Sequence, residues 1–112
     1  MSNRIVLQQD ANGVPIQTLR PRPAGGHKID FTLSSVRNGT AFSPSSGFVE
    51  LWATQDCFIR FGDSSVAVAA GGGDKFLPAN QWSPPYPLKG ATHVAAIRAG
   101  ATNGSLYVSE MD

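Results

Sequence analysis

The 112-residue sequence has a single cysteine, Cys57, which excludes an intramolecular disulfide and a cysteine-based zinc site alike. Charge is also scarce. Charged residues make up 15%, well under the roughly 25% of an ordinary soluble domain. Nine Lys and Arg stand against eight Asp and Glu, and a net charge of +1 lacks the cationic excess of a dedicated nucleic-acid binder. No apolar run approaches the ~18 residues of a membrane span. The opening MSNRIVLQQD has no apolar stretch of the secretory kind, so a protein made in the cytosol is expected. Long Lys/Glu/Leu stretches are missing, which excludes a coiled coil or helical bundle. What abounds is glycine (12), proline (8) and a 41% share of hydrophobic residues, enough to close one small core and to exclude disorder.

The longest segment free of Gly and Pro is FVELWATQDCFIRF, Phe48 to Phe61, and it is rich in aromatic and β-branched residues in alternating runs. Phe48, Glu50 and Trp52 share one face of a strand, and Val49, Leu51 and Ala53 the other. Gln55-Asp56 reads as a tight turn into a second strand, Cys57 to Phe61, so a hairpin is expected here. Ile29 to Leu33 alternates with Ile29, Phe31 and Leu33 on one side. Asn38-Gly39 reads as a type I′ turn into Thr40-Ala41-Phe42. Val66 to Ala69 reads as a short strand and Asp74 to Leu77 as an extended segment, on either side of the triple-glycine loop at 71–73. Gln81 to Leu88 contains Pro84, Pro85 and Pro87 and belongs at a sheet edge or in an extended loop. His93 to Ala99 and Ser105 to Ser109 read as a closing hairpin. Roughly eight short strands with frequent turns predict an all-β protein, an antiparallel sandwich or barrel, and an antiparallel β-sandwich or jelly roll is the form expected.

Residues 1–26 differ from the rest, and the division expected is an extended N-terminal arm, 1–26, on a sandwich domain, 27–112. The arm is punctuated by Asn12-Gly13, Val14-Pro15, Arg20-Pro21-Arg22-Pro23 and Gly25-Gly26, and each X-Pro bond favours extended backbone. Through Lys28 there are four cations and one anion, and the remainder carries five cations and seven anions. A basic arm on a slightly acidic body suits assembly; a loosely ordered terminus is the plain alternative.

No constellation of catalytic residues emerges, so no enzyme, cofactor or metal is expected. His27 and His93 are flanked by turn residues and lie in no ligand spacing. Gly62-Asp63-Ser64-Ser65 superficially matches a Gly-Asp-Ser hydrolase motif, yet it follows Phe61 in a strand-rich chain and reads as a turn. The nucleophile elbow is missing. Gly71-Gly72-Gly73-Asp74-Lys75 lacks the Walker spacing and a following helix. The sequons at Asn38 and Asn103 read as turns. Cys57, on the face of Ile59 and Phe61, reads as a buried, inert thiol rather than a reactive one. Most of the ten aromatics belong in the core. Both faces of Phe48–Phe61 are apolar, however, so Phe48, Trp52 and Phe58 need cover from the arm or from another subunit.

The segment VELWATQDCFIRFGDSSVAVA, the LPAN at 77–80 and the closing HVAAIRAGATNGSLYVSEMD resemble small β-sandwich structural proteins of tailed bacteriophages. The shared pattern falls on Ala53 to Gly62, Leu77 to Ala79, Trp82 to Pro87 and Ala96 to Glu110, within roughly the C-terminal 65 residues; the arm matches nothing in the group. The resemblance implies a non-enzymatic virion component, a capsid cement or decoration protein assembled in the host cytoplasm. Its partners would be the major capsid protein and copies of itself, for which a trimer at a local threefold axis would fit; no nucleic acid or membrane is implied. A neck, tail or fibre-base part, or a carbohydrate- or receptor-binding module, are the alternatives. A decoration protein bridges capsomers, and an arm of ~26 residues could reach about 85 Å. Contact residues expected on this reading are Arg4, Arg20 and Arg22 of the arm with Trp52, Phe58, Trp82 and Tyr86.

Overall fold

A computed structural model describes residues 20–69 and 74–111, together with the backbone of 8–9 and 15–16. Arg4, most of the first nineteen residues and the triple glycine at 71–73 lie outside the described residues. The described chain is all β. Two short strands, β1 (Gln8–Gln9) and β2 (Pro15–Ile16), pair with each other. Eight more follow: β3 (Pro21–Phe31), β4 (Val36–Arg37), β5 (Phe48–Ala53), β6 (Cys57–Gly62), β7 (Lys75–Leu77), β8 (Tyr86–Pro87), β9 (His93–Arg98) and β10 (Gly104–Met111).

These eight form two four-stranded antiparallel sheets, ordered β3-β10-β5-β8 and β4-β9-β6-β7. Four of the ladders are nested: β3 with β10, β4 with β9, β5 with β8 and β6 with β7. Rolling that long ribbon brings β10 beside β5 and β9 beside β6. This nested order is a jelly roll.

Period-two alternation builds the core. Val49, Leu51 and Ala53 of β5, Cys57 and Ile59 of β6, Leu106 and Val108 of β10, and Ile29 and Phe31 of β3 are all buried between the sheets. Faces were therefore legible where connections were not. The expected hairpin across Gln55-Asp56 does not form, because β5 and β6 lie in opposite sheets. The short link is a corner, in which Thr54 N–H donates to Ser105 O at 2.9 Å and Asp56 O accepts from Ala99 N–H at 3.0 Å. The expected closing hairpin fails for the same reason, since β9 and β10 also change sheets.

Two further expectations are corrected. Asn38-Gly39 is no type I′ turn: that turn needs positive φ at both central residues, and neither has it. Residues 40–42 form no strand. Leu33 does not share the inward face of Ile29 and Phe31. β3 ends at Phe31, Thr32 Oγ1 accepts from Ser34 N–H, and Leu33 is exposed. At its other end β3 begins at Pro21, so Pro21 to Gly26, read from sequence as the end of the arm, lie along β10 with a register shift near Met111.

The proline-rich segment takes the edge position expected of it. Asn80 N–H donates to Ala53 O at 2.8 Å, Ser83 N–H to Leu51 O at 3.1 Å, and β8 then pairs with Phe48 and Val49. Ser83 Oγ also accepts from Leu51 N–H at 2.9 Å, so Ser83 satisfies both backbone groups of Leu51 beside the prolines that have no N–H to offer.

Candidate interaction surface

The two outer faces of the sandwich are finished differently. On the β4-β9-β6-β7 sheet, Val66 and Val68 fold over Ala95 and Ile97 in a small second cluster against Phe58. Val66 to Ala69 form no strand, contrary to expectation: Val66 N–H donates to Asp63 O and Val68 N–H to Ser35 Oγ, so these groups bond to a turn and a side chain instead of a neighbouring ladder. Phe58 also meets Phe76 edge to face, with ring centroids 5.6 Å apart. Val66 and Val68 thus cover the β9 side of that face, while Phe76 at the β7 edge stays 43% exposed.

The outer face of the β3-β10-β5-β8 sheet carries aromatic side chains instead. Trp52 on β5 and Tyr107 on β10 are direct cross-strand neighbours. Trp82, from the segment before β8, leans over Trp52 with centroids 5.2 Å apart and ring planes tilted by 55°. Together Trp52, Trp82 and Tyr107 line a shallow depression whose walls are almost wholly apolar. Trp82 is 65% exposed and Tyr107 44%. Lys28 sits opposite Tyr107 on β3, and Phe48, farther along β5, is also exposed. Such contiguous exposed apolar area is the usual mark of an interaction surface.

Of the contact residues expected from sequence, the structure brings Trp52 and Trp82 together. Phe58 is on the other sheet, partly covered as described. Tyr86 turns inward and packs on the core beside Phe61, with centroids 5.9 Å apart. Arg20 is exposed at the start of β3, while Arg22 Nη1 donates to Ser45 Oγ at 2.7 Å. Tyr107 was missed, although its signal was present: with Leu106 and Val108 inward, strand alternation points Tyr107 outward.

The polar candidates resolve into structural roles. Asp63 Oδ1 accepts from both the N–H and the hydroxyl of Ser65, a closed turn where the hydrolase-like motif stood. Those bonds hold the Asp63 carboxyl below its ordinary range. Burial, reinforced by nearby Asp56, pushes the Cys57 thiol up to about 12, which removes thiolate at neutral pH. His93 is buried and shares a hydrogen bond with Thr92 Oγ1. Among the described residues, no three His, Cys, Asp or Glu side chains converge as metal ligands, and no helix is long and apolar enough to cross a membrane.

The chain matches no protein-family model, no curated protein and no solved structure.

One polar cluster escaped the sequence reading. Glu110 is buried, and its Oε1 accepts from Ser43 N–H at 2.8 Å and Ser46 Oγ at 2.7 Å. Its Oε2 accepts from His27 Nε2–H at 2.6 Å, and the His27 ring stands edge to face with Phe42. Burial works against the Glu110 charge, but the bonds from Ser46, His27 and Ser43 outweigh it and keep the carboxyl below its usual value. The cluster ties β3, β10 and the 43–46 loop together. It acts as a brace: Ser43 gives its N–H and Ser46 its hydroxyl to the carboxylate, while the Ser43 hydroxyl pairs with Ser45 Oγ at 3.0 Å.

Proposed function

We propose that this chain is a non-enzymatic structural protein of a tailed-phage particle, a decoration protein that docks on the major capsid protein. The observation that carries the reading is the uncovered aromatic face of Trp52, Trp82 and Tyr107. Rings of this size contribute large apolar area at small entropic cost and concentrate binding energy when covered. The resemblance of Ala53 to Glu110 to phage structural proteins supports the same reading, and jelly rolls recur in viral capsid domains. Fold analogy alone would not separate this function from others. The aromatic face supplies the site-level argument.

The rival that this face invites is glycan binding. Pyranose rings stack best on a flat platform, and the 55° tilt between Trp52 and Trp82 denies them one. Docking on a protein, whose side chains fill an uneven depression, suits the surface better.

The test is co-sedimentation. Purified protein is mixed with expanded heads lacking it, from the phage that encodes the chain. Binding by wild type, reduced at least about tenfold in Trp52→Ala/Trp82→Ala, is expected if these rings are hot spots. Wild type that stays in the supernatant, or binding untouched by the double substitution, would sink the reading. Quenching of tryptophan fluorescence by a glycan would favour the rival.

A further inference from the structure

Sheet edges are normally short, charged or proline-blunted, because an open edge invites another strand. Three of the four edge strands here obey that rule. β8 has two residues, one of them Pro87; β4 has two residues, and β7 three. β3 is the exception in length. It runs eleven residues, pairs with β10 on one side, and among the described residues no strand pairs with its other side. Its prolines, Pro21 and Pro23, and the positive φ of Ala24 are confined to its first four residues, and the charges farther along, Lys28 and Asp30, are of opposite sign, so they repel a second copy only in the wrong register. From Gly26 to Phe31 it keeps an unbroken register with β10, so backbone groups alternate outward along a regular six-residue edge.

We propose that this edge pairs with the same edge of a second copy, antiparallel, about a two-fold axis at Ile29. The two sheets then join into one of eight strands. Charge fixes the register. In an antiparallel pair centred on Ile29, Lys28 of one copy faces Asp30 of the other, and Asp30 faces Lys28. Both side chains lie on the outer face, 54% and 72% exposed, with Lys28 Nζ 3.6 Å from Asp30 Oδ1 within the chain. Asp30 Oδ1 also accepts from Ser105 Oγ on β10 at 2.7 Å, but both heads are in solvent, and a change of rotamer turns them across the junction without leaving a buried charge. Opposite charges directly across a ladder favour that register, and like charges oppose it. The two-fold operation is isologous, so it closes at two copies and does not propagate a fibre. It also extends the outer aromatic face, doubling it in a single continuous sheet. The inference stands on the strand edge and is independent of the capsid reading.

The experiment is sedimentation velocity of the full chain across a concentration series, with no capsid present. Wild type is expected to show a reversible monomer–dimer equilibrium. Lys28→Asp and Asp30→Lys each place like charges at both symmetric contacts, and each is expected to raise the dimer Kd by about tenfold or more. The double swap, Lys28→Asp with Asp30→Lys, restores both contacts and is expected to return Kd to within about threefold of wild type. Melting temperatures serve as a folding control, because an exposed pair hardly moves them. A chain monomeric at every concentration overturns the proposal. So does a trimer, or a dimer indifferent to the single reversals.

Discussion

Glu110 and His27, 83 residues apart in sequence, meet at 2.6 Å and clasp the last long strand to β3. The other carboxylate oxygen holds Ser43 N–H and Ser46 Oγ, so one buried side chain closes three segments. Removing it strands several donors. Glu110→Ala is expected to cost about 3 kcal/mol, and Glu110→Gln, which keeps an acceptor, about 1 kcal/mol. The pH dependence follows from the lowered native pKa. Stabilisation is complete above the ordinary carboxyl value of 4.5 and is lost as pH falls through the lower native value. Urea midpoints measured from pH 7 to pH 3 should show the gap between wild type and Glu110→Gln narrowing on acidification. A gap that widens would contradict this account.

Asn38 is the second buried brace. Its Nδ2 donates to Thr40 O at 2.6 Å and its Oδ1 accepts from Val94 N–H at 2.9 Å, so the amide stands in for a strand partner where β4 has ended. Asn38→Ala is expected to lower stability by about 2 kcal/mol. Asn38→Asp should be worse, because it turns a second oxygen on Thr40 O. If the residue mattered only as a hairpin turn, Asn38→Gly would be nearly silent; here Asn38→Gly should fall with alanine. Denaturant midpoints of the three variants decide between the two accounts.

The residues that sequence alone placed correctly are those governed by local alternation. Alternation groups Val49, Leu51 and Ala53 on one face of β5 and Cys57, Ile59 and Phe61 on one face of β6, and all are buried except the half-buried Phe61. Alternation reports which side of a strand is wet and is silent about which strand lies beside it. In the nested order of a jelly roll most sequence neighbours go to opposite sheets, so the short Gln55-Asp56 link looked like a hairpin and is a corner. The Trp52–Trp82 contact needed β8 beside β5, a pairing between residues more than thirty apart. The His27–Glu110 clasp was illegible for a related reason. A polar pair becomes conspicuous only once the fold shows that both partners are buried.

Gly104 begins β10 where Phe31 and Gln55 close in. A Cβ added there would lie 2.8 Å from Phe31 Cζ and 2.8 Å from Gln55 Cβ. Phe31 is fully buried and cannot retreat without disturbing the core. Gly104→Ala is expected to cost about 1–3 kcal/mol, as overpacking does. At Gly100 a Cβ meets nothing within 4 Å, so Gly100→Ala should be neutral or slightly stabilising. Thermal melts of the pair check the contrast: for a domain of about this size each kcal/mol moves Tm by roughly 4–8 °C. Equal melting temperatures would refute the packing argument.

Trp82 separates surface binding from fold stability. With 65% of its surface exposed, it contributes little to the core, and it contacts Trp52 from outside the sheet. Trp82→Ala should therefore change unfolding free energy by less than about 1 kcal/mol, within the range of ordinary surface substitutions plus one exposed aromatic contact. Leu51→Ala, on the same strand as Trp52 but facing inward and fully buried, should cost about 2–5 kcal/mol. Docking on heads should order the two variants the other way, because on the proposed reading the partner covers the exposed Trp82 ring and leaves the buried Leu51 untouched. Measuring urea unfolding and head co-sedimentation on both proteins, under conditions where Leu51→Ala remains folded, gives the comparison. If Trp82→Ala unfolds as readily as Leu51→Ala, the ring is a structural plug, and the aromatic face loses its claim to be a docking surface.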